Sequence, residues 1–313
     1  MIDIFLWIII FILSLLFLIK ASDYFIHSSE NIGYYLKLPP IIIGVIILSI
    51  GTSLPELISS IFAILKDSSE IVIGTVIGSN ISNLFLILGI TAIISKKIII
   101  NKKILSTEYP FFITASILIG FILFNGIVTI YETLILLIIF IFYIFYTIKE
   151  VKISEFIVDK KITKNTIKKD IIIFIFCIVV IYFSAKYLII ATINISSLLN
   201  IGTEIVAISA IALGTSLPEL IVSIKAIKLK KSDLAIGNII GSNIFNVVGI
   251  LGISSLFGPV VFSINSFIFP YLLMVFGTII TFFIMIDKKI TVQEGLLYLS
   301  MYLFFLFYLF GFI

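Results

Sequence analysis

The chain has 313 residues, of which 61% are hydrophobic and only 12% charged, and its mean hydropathy is +1.31. A soluble domain carries about a quarter charged residues, so this composition excludes a water-soluble globule. The formal net charge of +4 comes from lysines that follow a membrane pattern, and it gives no ground for nucleic-acid binding.

The apolar runs are continuous in isoleucine, leucine and phenylalanine, which argues for membrane helices and against alternating barrel strands. A hydrocarbon core of ~30 Å takes about 20 helical residues. Spans are expected near residues 2–21, 40–65, 71–95, 107–125, 129–148, 170–190, 203–228, 233–257, 264–286 and 292–312. The first run, Ile4 to Ile19, follows Asp3 rather than a basic segment, so it reads as a retained span and not a signal peptide. His27 falls in the polar connection after it, and Cys177 lies alone in an apolar run where it packs as a small hydrophobe. Breaks fall at Lys37-Leu38-Pro39-Pro40, Lys66-Asp67-Ser68-Ser69-Glu70, Lys96-Lys97, Lys102-Lys103, Lys230-Lys231-Ser232-Asp233 and Asp287-Lys288-Lys289. Lys149 to Asp170, with seven lysines, is the longest hydrophilic piece. It reads as a linker at 149–169 between a first half, 1–148, and a second, 170–313.

The chain contains no arginine, so its 21 basic residues are all lysines. When the ten spans are threaded in turn, 19 of the 21 fall on one side, and only Lys66 and Lys186 fall on the other. The positive-inside rule makes the lysine-rich side cytoplasmic. Both termini are then outside a cell membrane and the central linker is cytoplasmic. One span more or fewer in either half would scramble this segregation.

The two halves resemble each other. Gly51-Thr52-Ser53-Leu54-Pro55-Glu56-Leu57 recurs letter for letter at Gly214 to Leu220, and Ile77-Gly78-Ser79-Asn80-Ile81-Ser82-Asn83 recurs with one change at Ile240 to Asn246. Both pairs share an offset of 163 residues. Five spans per half is an odd number, so the second half enters the membrane upside down. The expected architecture is an all-α polytopic membrane protein with ten transmembrane helices as two inverted five-helix repeats. Such repeats with interrupted helices at matched positions point to a secondary transporter.

A carboxylate inside a hydrocarbon-length run costs about 2.5–3.5 kcal/mol on insertion scales, and this chain carries one in each half, Glu56 and Glu219. Glycine and proline weaken the helix just before each, which frees backbone carbonyls near Ser49 to Thr52 and Ala212 to Thr215 as ligands. Ser79 with Asn83, and Ser242 with Asn246, stand at i and i+4 and share a helix face. Asn80 and Asn243 lie about 100° further round and read as structural. Gly74 with Gly78, and Gly237 with Gly241, offer small faces for close helix approach. Asp23 and Lys186 fall near helix ends and read as snorkelling groups. Thr75 and Asn238 are matched in position but not in chemistry, and neither is given a role. Two carboxylates with hydroxyls, amides and carbonyls make an all-oxygen set suited to a hard cation such as calcium. Their formal charge of −2 matches one divalent or two monovalent ions.

The paired Thr-Ser-Leu-Pro-Glu and Gly-Ser-Asn motifs resemble the alpha-repeat signature of the sodium/calcium exchanger family, within the cation/calcium antiporter superfamily. The resemblance implies ten helices, with the second, third, seventh and eighth around the ions and the first and sixth sliding against that core to alternate access. It implies that Glu56 and Glu219 coordinate calcium and sodium, that Thr52 and Thr215 contribute backbone carbonyls, and that Ser53, Ser79, Ser216 and Ser242 serve sodium. Many members carry an aspartate at one of the positions held here by Asn83 and Asn246. Calcium and sodium as transported ions, the bilayer as partner, no cofactor and a monomeric unit are the expectations that follow. The alternative is a proton-coupled exchanger of calcium or another divalent cation, though the Pro-Glu form of the motif favours sodium. A channel would build its pore from symmetric subunits rather than an inverted repeat. A hydrolase lacks its nucleophile motif, with neither H-E-x-x-H nor G-x-S-x-G present.

Overall fold

A computed structural model of the chain describes residues 2–35, 48–100, 104–149, 164–230 and 232–311. The apolar runs fold as helices because, without water, a backbone must satisfy its own hydrogen bonds. The first part of the chain forms α1 (Ile2–Tyr35), α2 (Leu48–Thr52), α3 (Leu54–Leu65), α4 (Glu70–Ile81), α5 (Leu88–Ser95), α6 (Tyr109–Leu123) and α7 (Ile130–Lys149). The second forms α8 (Lys164–Leu199), α9 (Thr203–Val206), α10 (Ala212–Thr215), α11 (Leu217–Lys228), α12 (Ser232–Ile244), α13 (Gly252–Ser254), α14 (Ile264–Ile286) and α15 (Val292–Leu309). Wide π-helical turns at Ser82–Ile87 and Phe245–Leu251 carry α4 into α5 and α12 into α13 without a break. A third, Ala207–Ile211, joins α9 to α10.

Among the described residues nine helices are long and apolar enough to cross a membrane, and Leu54–Leu65 is a shorter apolar helix. The chain is a multi-pass membrane protein. The Lys37 to Pro40 break, the start of the second expected span, Lys102-Lys103, Lys231 and most of the central linker lie outside the described residues.

Two helices are longer than expected. α1 runs to Tyr35, not 21, and α8 begins at Lys164, not 170. No glycine or proline interrupts 20–32 or 164–199, and polar residues alone do not end a helix when, like Ser22 and Ser28, they are buried against neighbours. At 1.5 Å per residue, the 34 residues of α1 span about 51 Å, so this helix tilts or projects beyond the hydrocarbon layer. His27 is therefore an exposed helical residue rather than part of a connection. Asp23 and Lys186 stand mid-helix, not near helix ends.

The bundle is inside out relative to a soluble protein. Large apolar side chains such as Phe121, Ile138, Phe145 and Ile172 cover its outside. The most deeply buried helices, α4–α5 and α12–α13, line up serine, threonine and asparagine at the centre. α1 packs chiefly along α8. It also crosses both helix interruptions, with Ile26 against Gly51 and Leu15 against Gly214. A Cβ at Gly51 would stand 2.9 Å from the Ile26 side chain, and one at Gly214 would stand 2.5 Å from Leu15. Glycine at these positions is what admits α1. Gly74 and Gly78 likewise meet Ala207, Ile208 and Ala212, and Gly241 meets Ser49, whereas Gly237 meets nothing among the described residues.

Two short ladders, absent from the sequence-based expectation, join the connections. β1 (Lys97–Ile99) pairs antiparallel with β4 (Lys289–Thr291), and β2 (Ile127–Val128) pairs antiparallel with β3 (Val260–Val261). Each ladder unites one connection from either half of the chain, and Ile98, Ile290, Val128 and Val260 bury their side chains beneath. Ser69 extends the second, giving its hydroxyl to the Val261 carbonyl and accepting from the Val261 N–H.

Candidate functional site

The two identical heptapeptides form the same local structure. α2 ends at Thr52 and α3 begins at Leu54, so the interruption is one residue, Ser53 (φ −90°, ψ 10°); Ser216 (φ −83°, ψ 3°) stands likewise between α10 and α11. Pro55 and Pro218 occupy the first turn of the following helix, where a missing N–H costs least. The helix therefore bends rather than unwinds. Ser53 still donates its N–H to the Ser49 carbonyl at 3.3 Å, and Ser216 to the Ala212 carbonyl at 3.1 Å. The Thr52 and Thr215 hydroxyls also reach these carbonyls, at 3.3 and 3.5 Å. The Ser49 and Ala212 carbonyls are thus already engaged. The carbonyls that lose a donor to proline are those of Gly51 and Gly214, four residues before each.

The carboxylates of Glu56 and Glu219 both sit at the start of a half-helix, where the helix dipole favours negative charge, and both are 1% exposed. Their partners are crossed. Ser53 donates its hydroxyl to Glu219 Oε1 at 2.7 Å, and Ser216 donates to Glu56 Oε1 at 3.3 Å. Each carboxylate is thus held by the serine of the other heptapeptide. The remaining oxygens, Glu56 Oε2 and Glu219 Oε2, have no hydrogen-bond partner.

The second motif lies on α4 and α12 and in the turns that follow them. Ser79 and Ser242 are fully buried with unpartnered hydroxyls. Asn83 and Asn246 lie in the π-helical turns. π-Helical turns recur at functional sites. Asn83 donates Nδ2 to Asn243 Oδ1 at 3.2 Å, Asn246 donates Nδ2 to Asn80 Oδ1 at 3.0 Å, and Asn80 donates Nδ2 to the Asn243 carbonyl at 3.3 Å. Asn83 Oδ1 and Asn246 Oδ1 are left without partners. Asn80 and Asn243 therefore reach across to the opposite half.

Asn238, given no role from the sequence, ties the second half of the site together. It donates Nδ2 to the Glu219 carbonyl at 3.4 Å and to Ser223 Oγ at 3.2 Å, and it accepts from Thr52 Oγ1 at 3.5 Å. At the matching place in the first half, the Thr75 and Ser60 hydroxyls are buried and unpartnered. The one signal for Asn238 in the sequence was its register with Thr75, which identity-based comparison of the halves passes over.

Burying so many polar atoms without partners would ordinarily destabilise a fold, at about 1–3 kcal/mol each. Among the described residues six of the unpartnered atoms fall in matched pairs, Glu56 with Glu219, Ser79 with Ser242 and Asn83 with Asn246, and these six are oxygens. An oxygen set of this kind, carrying two carboxylates and no sulfur or imidazole, has the chemistry of a hard-cation site.

Comparison with known proteins gives a family. The model of the family described as "Sodium/calcium exchanger protein" matches residues 6–149 and 169–311. The sodium/calcium exchanger MaX1 of Methanosarcina acetivorans is 32% identical over 342 aligned positions, covering 96% of this chain and 97% of that protein. The inner membrane protein YrbG of Escherichia coli is 29% identical, covering 79% of each chain. Among solved structures, the sodium-calcium exchanger NCX_Mj, soaked with 2.5 mM Na+ and 10 mM Sr2+, superposes with a TM-score of 0.67 at 29% identity, covering 96% of this chain and 98% of that one.

Proposed function

Because the chain belongs to the sodium/calcium exchanger family, we propose that it is a secondary antiporter exchanging calcium for sodium, with the ions bound in turn between Glu56 and Glu219. The observation that carries this reading is the crossed pair of hydrogen bonds from Ser53 to Glu219 and from Ser216 to Glu56. They hold two acidic side chains from distant parts of the chain in one buried place, each with an oxygen to spare.

The donor set fits the cargo. Glu56, Glu219, Ser79, Ser242, Asn83 and Asn246 each offer an unpartnered oxygen. Calcium takes about 6–8 oxygens. The Gly51 and Gly214 carbonyls, which lose a donor to proline, and the remaining lone pairs of Ser53, Ser216, Thr52 and Thr215 are further candidate oxygens. The −2 charge is balanced by one calcium or by two sodium ions, so the two occupants compete for the same carboxylates. Competition for one buried site is what converts binding into exchange.

In this reading the chain crosses the membrane ten times as two inverted halves. Both termini face outward, the lysine-rich connections and the central linker face the cytoplasm, and one copy suffices because it supplies both carboxylates. Access alternates as α1 and α8 slide over the interruptions at Gly51 and Gly214. The contacts of Ile26 and Leu15 with those glycines support this, since a moving apolar helix there covers or uncovers the site.

The test is calcium uptake into proteoliposomes loaded with sodium, compared with vesicles holding only a proton gradient. Uptake driven by the sodium gradient is the expected result. Uptake indifferent to sodium and driven by pH would assign the protein to proton-coupled exchange instead.

A further inference from the structure

We propose that Asn80 and Asn243 are positioning residues for the ion site, each gripping an asparagine amide of the opposite half so that its oxygen, and not its nitrogen, faces the cation. The inference rests on the ion-binding reading above, and it gives a role to two residues that touch no ion themselves.

The argument starts from a group whose polarity is fixed. The Asn243 backbone carbonyl can only accept, and Asn80 meets it at 3.3 Å, so that end of the Asn80 amide is the nitrogen. The other end, Oδ1, can only accept, so Asn246, at 3.0 Å, must turn its own nitrogen toward it. The Asn246 oxygen is then forced to the remaining side, where it has no protein partner. The same crossing repeats 163 residues away, where Asn83 gives Nδ2 to Asn243 Oδ1 at 3.2 Å and keeps its own oxygen free. A flipped Asn246 would set oxygen against oxygen at Asn80 and present two N–H donors to a cation. Both faces of the error are repulsive. A primary amide carries a donor and an acceptor at opposite ends of one rigid plane, which accounts for asparagine at positions 80, 83 and 246.

The two arms are unequal. Asn80 is anchored by its nitrogen as well as its oxygen, whereas Asn243 Nδ2 has no partner. Asn80→Ala removes both bonds of its arm. Asn243→Ala removes one and leaves the backbone carbonyl that Asn80 uses.

The experiment is calcium titration of the purified full chain by calorimetry. Asn80→Ala is expected to weaken calcium binding about tenfold, and Asn243→Ala by less. In the Asn246→Ala background, Asn80→Ala should make no further difference, because the oxygen it positions is gone. A merely structural role would lower melting temperature or yield while leaving the affinity of the folded fraction unchanged. The proposal is overturned if Asn80→Ala binds calcium like the parent, or if its effect persists undiminished beside Asn246→Ala. Should Asn80→Ala not fold, Asn243→Ala with and without Asn83→Ala puts the same question to the other arm. Glu56→Gln, titrated in parallel, separates the two levels. Normal calcium binding in that variant removes the ion site itself, whereas its loss beside additive asparagine effects removes only the positioning role.

Discussion

Replacing Glu219 by glutamine removes one unit of charge and almost nothing else. The side chain keeps its shape, and the retained carbonyl oxygen still accepts from Ser53, which lies 2.7 Å from Oε1 in the parent. The charge balance, however, changes from −2 against a calcium ion to −1, and the ion is left with a net +1 in a place where its ligands are 1% exposed. A unit charge pair about 4 Å apart at an effective dielectric constant near 20 is worth about 4 kcal/mol, and a carboxylate against a divalent ion about twice that. Half of the divalent figure already corresponds to about three orders of magnitude in calcium affinity. A single sodium ion is still balanced, so sodium binding should fall far less. Calorimetric titration with calcium and with sodium, followed by sodium-driven uptake in proteoliposomes, measures both. Glu56→Gln should behave alike, because its carboxylate is held by the mirrored contact from Ser216. A Glu219→Gln protein that binds calcium within tenfold of the parent would refute the idea that the two carboxylates share the ion.

Other substitutions test the packing and the motion. Gly78→Ala places a Cβ against the Ile208 carbonyl and 2.7 Å from Ala212 Cβ, so it should lower stability by about 1–3 kcal/mol, read as a drop in melting temperature in detergent. Thr291 and Glu294 form a capping box at the start of α15, and Thr291→Ala should cost about 1 kcal/mol by the same assay with calcium affinity unchanged. Cysteines at Ile98 and Ile290, directly opposite in the first ladder, should cross-link without stopping exchange once Cys177 is replaced. Cysteines at Ile26 and Gly51, which would fasten α1 to the first interruption, should stop exchange on oxidation and restore it on reduction.

Much of this was legible in the sequence because burial in a membrane leaves few reasons for polar residues. A glutamate after proline in an apolar run, repeated at a fixed offset, has hardly any structural explanation. The angular separation of Asn80 and Asn243 from Ser79 and Ser242 gave no sign of their hydrogen bonds to asparagines of the opposite half, because those depend on how closely the two halves approach. The lengths of α1 and α8 escaped because hydropathy reports where lipid ends, not where a helix ends. Ser22, Ser28 and Asp170 lower hydropathy yet continue the helix, being buried against neighbours. The π-helical turns have no residue signature at all, since Ser82–Ile87 and Phe245–Leu251 share little beyond asparagine at the second place. The ladders, two and three residues long, are too short for any periodicity to announce them.

Those ladders restrict how the molecule can deform. Each is a rivet through one end of the bundle, joining a connection of the first half to a connection of the second, with further stitches from Lys288 to Ile100 and from Gly126 to Phe262. With both ends pinned, the halves cannot hinge apart like jaws without tearing backbone bonds at one rim or the other. The described parts of α1 and α8 belong to neither rivet. Under the proposed mechanism, the coordinate left soft is the glide of that pair along a clamped frame.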